Sequence, residues 1–323
     1  MSLTAPLHPA AQALAAGASE IIVAYADGPA DAAKAWDGLN LPHLQALLAM
    51  LAPSTVVQGS ELDFSPPHER VLASAMQLPD AAGLIPWAAL AARETAQACA
   101  FITPCHWHIT PDQVHQTDPA STPLSEDESR QLLALIQPWF SDDGITLEYL
   151  RPDTWLARGA AFENLATASM DRALGRDVRP WFPDPIRGAV IQRLQTELQM
   201  LLYTHVFNDR RGERGLPPIN SFWVHGTGSL PSLPAAAPQA ICIGDLSRPA
   251  LQGDVQGWRQ AWQQLDAGLI AGLQQRAARG EPVTLTLCGE RNAVQWTHAS
   301  RGFMDRIKNL FAPKRLPDLR EML

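Results

Sequence analysis

Polar turns that follow short apolar runs carry most of the side chains able to do chemistry in this sequence. Because ligands of open α/β sheets bind beyond the carboxyl ends of the strands, we predict that these turns converge on one site. Their glycines would let a ligand approach the backbone closely. Four turns have this form: Asp27-Gly28, His225-Gly226, Gly244-Asp245 and Gly289-Glu290-Arg291.

Asp27 is the first candidate for a functional carboxylate. It follows the run Ile21-Ile22-Val23-Ala24-Tyr25-Ala26, which predicts a strand buried on both faces. Asp27 would then lie at the strand end where α/β proteins bind their ligands. The alternative is that Asp27 only caps the tight turn through its own backbone. The sequence leaves both interpretations open.

Composition excludes several classes of protein. The 323 residues include 25 Lys and Arg against 33 Asp and Glu, so the net charge of -8 disfavours a nucleic-acid partner. No apolar run approaches the ~20 residues that span a bilayer, and no secretory signal is evident, so we expect a cytoplasmic protein without a membrane partner. The four cysteines lack a C-x-x-C spacing and are expected to be buried, reduced thiols.

The order of strand-like and helix-like segments predicts two domains. Strand and helix alternate up to residue 96, which indicates an α/β domain. The pattern then changes to extended segments and one helix, preceded by the capping box Ser125-Glu126-Asp127-Glu128. Alternation resumes with a long helix and the strand Ile219–Gly226. We therefore predict an α/β domain from 1–96 plus 181–323, and an inserted α+β domain at 97–180.

His106 and His108 form a second candidate group. In an extended segment their side chains point to the same face, which makes a feasible half-site for zinc. His68, Asp112 and His115 are possible companions, but their spacing does not complete a site. Anion binding is the functional interpretation, and partly exposed strand histidines are the structural one.

The order of these segments resembles the archaeal-type cofactor-independent phosphoglycerate mutases of the alkaline-phosphatase superfamily, over nearly the whole chain. The resemblance implies an α/β fold, an alkaline-phosphatase-like three-layer sandwich with an inserted small α+β domain. Four segments carry the resemblance. Asp27-Gly28-Pro29-Ala30-Asp31 is similar to the first metal-ligand segment of the family, and Leu41-Pro42-His43-Leu44 is similar to the start of one of its helices. Gly59-Ser60-Glu61 is similar to the segment of the serine nucleophile, and Asn220 to Gly228 resembles a strand and loop in which His225 replaces the usual Arg.

The sequence departs from the family at its metal ligands. Leu251 lies near the position of one ligand histidine, and Arg291 in Gly289-Glu290-Arg291-Asn292 replaces another. A guanidinium has no lone pair to offer a metal ion. His298 matches a retained ligand, so Asp27 and His298 are the metal candidates and a complete two-metal site is not expected.

The resemblance therefore implies a phosphoglycerate-mutase-like protein with a degenerate metal site. We expect it to bind a small phosphorylated or acidic ligand in the cleft between its domains, without a cofactor, in a regulatory or other non-catalytic role. Arg291 could replace the positive charge of one ion and hold the anion as a fork. Alternatively, it is a surface residue or pairs with Glu290 or Asp27. The ligand-binding candidates are Asp27, His106, His108, His225 and Glu290.

Two other functions stay open. In an active phosphoglycerate mutase or phosphatase, Ser60 would attack, Asp27 and His298 would hold Mn, Zn or Mg, and Arg291 would stabilise the transferred group. Alternatively, a protein-interaction scaffold could bind a protein partner. It would use exposed tryptophans or the amphipathic tail, with these residues as candidates: Trp107, Trp139, Trp155 and Phe303 to Leu323.

Overall fold

A computed structural model of the chain describes residues 7–29, 34–234, 240–298 and 316–323. The chain divides into two compact units. The first comprises Met1–Glu61, Pro66–Gln77 and Ala236–Leu323, and the second comprises Leu62–Ser65 and Leu78–Ala235. The second unit thus takes in more of the chain than the 97–180 domain predicted from the sequence. Asp31 and most of the predicted tail from Phe303 lie outside the described residues.

The described residues form the following strands: β1 Leu7–His8, β2 Glu20–Val23, β3 Ala52–Val57, β4 Cys99–Cys105, β5 Trp107–Ile109, β6 Val114–Gln116, β7 Thr146–Arg151, β8 Thr154–Arg158, β9 Ser221–Gly228, β10 Ala240–Ile243, β11 Thr284–Cys288 and β12 Ala293–Thr297. Their helices are α1 Ala10–Ala15, α2 Pro42–Met50, α3 Pro67–Ala75, α4 Trp87–Ala92, α5 Glu126–Asp142, α6 Met170–Ala173, α7 Ala189–Tyr203, α8 Val206–Glu213, α9 Ser247–Leu251, α10 Val255–Leu265, α11 Ala271–Ala278 and α12 Leu316–Met322. A π-helical turn, Asp266–Ile270, joins α10 to α11.

The first unit is built on a six-stranded sheet in the order β1-β10-β2-β11-β12-β3. The first four strands are parallel, and β12 runs antiparallel to both of its neighbours. Ile21, Ile22 and Val23 of β2 are fully buried between β10 and β11. A central parallel strand is covered on both faces, which explains why its sequence is continuously apolar. This confirms the strand predicted before Asp27.

The second unit contains an antiparallel sheet in the order β7-β8-β4-β9 and a separate β5–β6 hairpin. Its main core joins side chains of the sheet, such as Trp155 and Phe222, to Leu194 and Leu198 of α7. The prediction that Ile219–Gly226 returns to the α/β sheet is wrong, because β9 pairs with β4 along its length. An apolar strand looks the same in sequence whichever neighbour it pairs with.

Several local predictions are confirmed. The structure is α/β with a mostly parallel central sheet, whereas the particular three-layer sandwich stays a prediction. Ser125 and Glu128 form the capping box at the start of α5. The four cysteines are free and buried. None of the helices in the described part of the chain is long and apolar enough to cross a lipid bilayer.

The prediction of exposed tryptophans is wrong for two of the three residues. Trp155 is fully buried and donates to Ser129 Oγ at 2.8 Å, and Trp107 is buried as well. Trp139 is partly buried against the main core of the second unit. A large aromatic side chain contributes most to stability when it is removed from water, which explains the outcome.

Candidate functional site

The turn after β2 is held by three indole N–H groups. Trp258, Trp262 and Trp36 donate to three successive carbonyls, those of Tyr25, Ala26 and Asp27, at 2.9, 3.3 and 3.0 Å. The three rings also contact one another, with centroids 5.3 to 6.3 Å apart. Because each indole N–H is matched to a buried carbonyl, the position of this turn is fixed by the core beneath it.

Gly28 is required in the same turn. Its φ of +98° lies in a region that favours glycine, and a Cβ there would meet the Trp258 ring at 3.4 Å. Tyr25 also has a positive φ, +56°. The backbone conformation of Tyr25 and Gly28 therefore fixes the direction of the Asp27 side chain. This side chain points to the turn after β11.

The Asp27 carboxylate is enclosed at the carboxyl end of the sheet. Its Oδ2 accepts a hydrogen bond from the Glu290 backbone N–H at 2.8 Å. Its Oδ1 is buried and has no hydrogen-bond partner among the described residues. The pKa of Asp27 is raised from 3.8 to about 6, and burial is the largest cause. The hydrogen bond from the Glu290 N–H opposes this rise, whereas the negative charge of Glu290 adds to it. The predicted meeting of Asp27 with the Gly289-Glu290 turn is confirmed.

Gly289 lies between Asp27 and the last described residue. A Cβ on Gly289 would be 2.7 Å from Asp27 Oδ2 and 2.7 Å from both Cβ and the backbone oxygen of Leu323. Asn292 fixes this arrangement, since its backbone N–H donates to the Leu323 oxygen at 2.8 Å and its side chain donates to the Met322 oxygen at 3.2 Å. Leu323 is 1% exposed, so it closes this side of the Asp27 carboxylate.

Ser60 and Arg291 lie at the same end of the first sheet as Asp27. Ser60 follows β3, and the N–H of Gly59 donates to Asn292 Oδ1 at 3.4 Å. However, β11 and β12 separate β2 from β3, which places those two strands about 14 Å apart. Arg291 is exposed, as the surface alternative predicted, and it forms no ion pair with Glu290, Asp27 or any other described residue.

His298 lies at the opposite end of the sheet, which contradicts its assignment as a metal ligand beside Asp27. Strand β12 runs back along β11, with Ala293 beside Cys288 and Thr297 beside Thr284. His298 Nε2 then donates to the Glu281 carbonyl at 2.8 Å, before β11 begins. The five residues of β11 span about 13 Å, whereas ligands bind zinc at about 2 Å. One ion cannot bind both side chains.

His225 is a core residue of the second unit. It is 2% exposed, contacts the Phe101 ring and forms a hydrogen bond through Nε2 with Thr103 Oγ1 at 3.1 Å. Burial, with the Arg151 charge as a smaller cause, lowers the pKa of His225 to about 3. The imidazole is therefore neutral at pH 7 and offers no positive charge to an anion. Its predicted place among the ends of parallel strands is wrong.

The other predicted residues have local roles. Asp245 Oδ2 accepts from the backbone N–H of Ala10 at 3.0 Å, which caps α1. His106 and His108 lie on the β5–β6 hairpin, where His106 is half-buried and His108 is exposed. His68, considered as their companion, belongs to the first unit instead.

The sequence does not connect two buried polar side chains of α3 with the Asp27 turn. His68 and Glu69 of α3 are 1% and 2% exposed, and the His68 ring lies 5.4 Å from that of Tyr25. The available signal was an adjacent His and Glu in the first turn of a helix, directly after Pro66-Pro67. Helix α3 packs on β2, which brings this polar pair to the candidate site.

The residues present do not fit the two-metal site of the family that the sequence resembles. In the described part of the chain, no three His, Cys, Asp or Glu side chains are grouped so that they could hold one ion. Asp27 Oδ1 is a potential ligand. Arg291 and Leu251, which the resemblance aligns with ligand histidines, cannot bind a metal ion, and His298 is at the far end of the sheet. One carboxylate oxygen alone does not make a metal site.

Comparison with known proteins gives only distant likenesses. No family model matches the chain, and no curated protein matches it. Its structure is similar to that of the PH0037 protein from Pyrococcus horikoshii, with a TM-score of 0.48 and 10% identity over 87% of this chain and 88% of that one. It is also similar to the cofactor-independent phosphoglycerate mutase from Thermoplasma acidophilum, with a TM-score of 0.33 and 12% identity over 87% and 90%. At these values neither likeness assigns an activity to the chain.

Proposed function

We propose that this chain is a phosphoglycerate-mutase-like protein with a degenerate metal site, which binds a small phosphorylated or acidic ligand without turning it over. The observation that carries the proposal is the enclosure of Asp27. The carboxylate that the family resemblance equates with a metal ligand is bonded to the Glu290 N–H and covered by Gly289 and Leu323.

The enclosure favours a non-catalytic role on physical grounds. Phosphoryl transfer requires positive charge next to the transferred group and to the attacking oxygen. Leu323 packs against Gly289 beside Asp27. Arg291 has no imidazole to offer a cation there, and the imidazole of His298 lies at the opposite end of the sheet. The strand order also separates the segment of Ser60 from that of Asp27. Among the described residues, the Asp27 carboxylate thus lacks the ligand partners that a cation needs.

Arg291 supports the binding of an anion at the same end of the sheet. Its guanidinium is exposed and, among the described residues, has no acidic partner. A guanidinium presents two parallel N–H groups to phosphate or carboxylate, and such charged hydrogen bonds are among the stronger ones in proteins. The neighbouring Asn292 side chain is already used by Gly59 and Met322, which fixes the turn that carries Arg291.

Calorimetric titration with inorganic phosphate and with 3-phosphoglycerate tests the binding. A charged hydrogen bond contributes about 1.5–3 kcal/mol, so Arg291→Ala should weaken binding about 10- to 100-fold. Arg210→Ala is the matched control, because Arg210 is also exposed and belongs to the second unit. Binding that is absent from the natural chain, or unchanged in Arg291→Ala, would contradict the proposal.

A turnover assay tests the non-catalytic part separately. The protein is incubated with Mn²⁺, Co²⁺, Zn²⁺ or Mg²⁺ and either 2- or 3-phosphoglycerate, and interconversion is followed. We expect none above the buffer rate. Metal-dependent turnover that disappears in Ser60→Ala would establish the active alternative, in which Ser60 is the nucleophile.

A further inference from the structure

The β5–β6 hairpin places two histidines side by side. His108 of β5 is the direct cross-strand partner of His115 of β6, so the two side chains lie on the same face. Backbone bonds from Thr110 N to Gln113 O and from Thr117 N to His106 O lie two residues to either side. The alternation of an antiparallel ladder makes His108 and His115 a hydrogen-bonded pair, with Cα atoms about 5.5 Å apart.

The ring nitrogens of this pair are available to a ligand. His115 Nε2 lies 3.2 Å from Gln113 Oε1, and its Nδ1 forms no hydrogen bond with another described residue. Histidines that bind metals commonly have their second ring nitrogen held in this way. The His108 side chain is exposed, and its ring forms no hydrogen bond with another described residue.

The opposite face of the hairpin holds the pair in place. Trp107 is buried, and its indole donates to Gln116 Oε1 at 3.2 Å. The Asn220 side chain accepts from the Trp107 N–H at 2.7 Å and donates to the Trp107 carbonyl at 2.9 Å. Asp177 Oδ1 accepts from the Val114 N–H at 3.1 Å. Fixed backbones on both strands reduce the entropy that a ligand would otherwise have to remove.

We propose that His108 and His115 form a two-histidine binding site for a late first-row divalent metal ion. Imidazole suits copper, nickel and zinc, and the usual affinity order places Cu²⁺ above the other two. No third His, Cys, Asp or Glu completes the group among the described residues, so water fills the remaining positions. Such an open site exchanges its metal readily. It lies in the second unit and does not depend on the function proposed for the Asp27 end of the first sheet.

Titration of tag-free protein with Cu²⁺ tests the proposal, with calorimetry for affinity and electron paramagnetic resonance for the number of nitrogen ligands. We expect one equivalent with two coordinated nitrogens, bound more tightly than Ni²⁺ or Zn²⁺. His108→Ala and His115→Ala should each weaken binding at least about tenfold, and the double variant, which has neither imidazole, should lose the site.

His298→Ala is the matched control, because His298 is also exposed but lies in the first unit. It should bind Cu²⁺ as the natural chain does. Unchanged affinity in His108→Ala or His115→Ala would overturn the proposal. A loss in His298→Ala as large as that in the hairpin variants would overturn it as well.

Discussion

Replacing Asp27 by asparagine should flatten the pH dependence of stability in the first unit. Burial raises the pKa of Asp27 from 3.8 to about 6 in the folded chain. Below about pH 3.8 the carboxyl is protonated in both states, and its contribution to stability is fully present. As the pH rises, the unfolded chain ionises first, so stability is lost until the pH has passed the folded value of about 6. This rise in pKa corresponds to about 3 kcal/mol.

Part of this loss in the free energy of unfolding falls in a pH range that is suited to measurement. Between pH 5 and 7.5 the natural chain should lose about 1.4 kcal/mol relative to Asp27→Asn, from the same two pKa values. Urea unfolding followed by tryptophan fluorescence reports on this region through Trp36, Trp258 and Trp262, which surround the turn.

Asp37→Asn is the control, because it makes the same chemical change at an exposed carboxylate in the following segment. Parallel pH profiles for the natural chain and Asp27→Asn would refute the reasoning. They would mean that Asp27 is not enclosed as the structure shows.

Two further predictions test the packing around the site and the second unit. Gly289→Ala should destabilise the first unit by about 1–3 kcal/mol, because the new Cβ would clash with Asp27 and Leu323. Gly212→Ala is the control. Its Cβ meets nothing within 4 Å, so this change should not lower the denaturation midpoint. Equal midpoints for the two variants would contradict the close contact. In NMR titration from pH 8 to 5, the imidazole signals of His225, assigned through His225→Gln, should not move, since burial lowers its pKa to about 3. A midpoint near 6.5 would show that His225 is solvated.

The sequence was sufficient to locate the Asp27 end of the first sheet. The apolar run before Asp27 predicted a buried strand, and the rule for ligands at the ends of parallel strands predicted its meeting with Gly289-Glu290. The apolar run is a local signal and the strand-end rule depends only on topology, so both can be used without knowing how the side chains pack. Strand β3 is not predicted, because its residues, four of them exposed and Pro53 among these, show neither alternation nor an apolar run. As an edge strand it tolerates the proline.

The positions of β9 and His298 could not be predicted from the sequence, because they depend on the direction of a strand or on the strand it pairs with. The segment of β9 has the composition of a buried strand, but nothing in it specifies β4 as its partner. His298 is only seven residues from Arg291, yet the antiparallel course of β12 carries it to the other end of the sheet. The three indole donors to the Asp27 turn come from Trp36 and from α10, and only the packed structure brings them together.

We propose that the Asp27 end of the sheet does not bind a catalytic cation. Crystals soaked in MnCl₂ with 3-phosphoglycerate, and measured at the manganese absorption edge, test it most directly. We expect no anomalous peak within bonding distance of Asp27 Oδ1 or Oδ2, and we expect phosphate density beside Arg291. Two well-coordinated ions between Asp27 and the Gly59-Ser60 turn would contradict it.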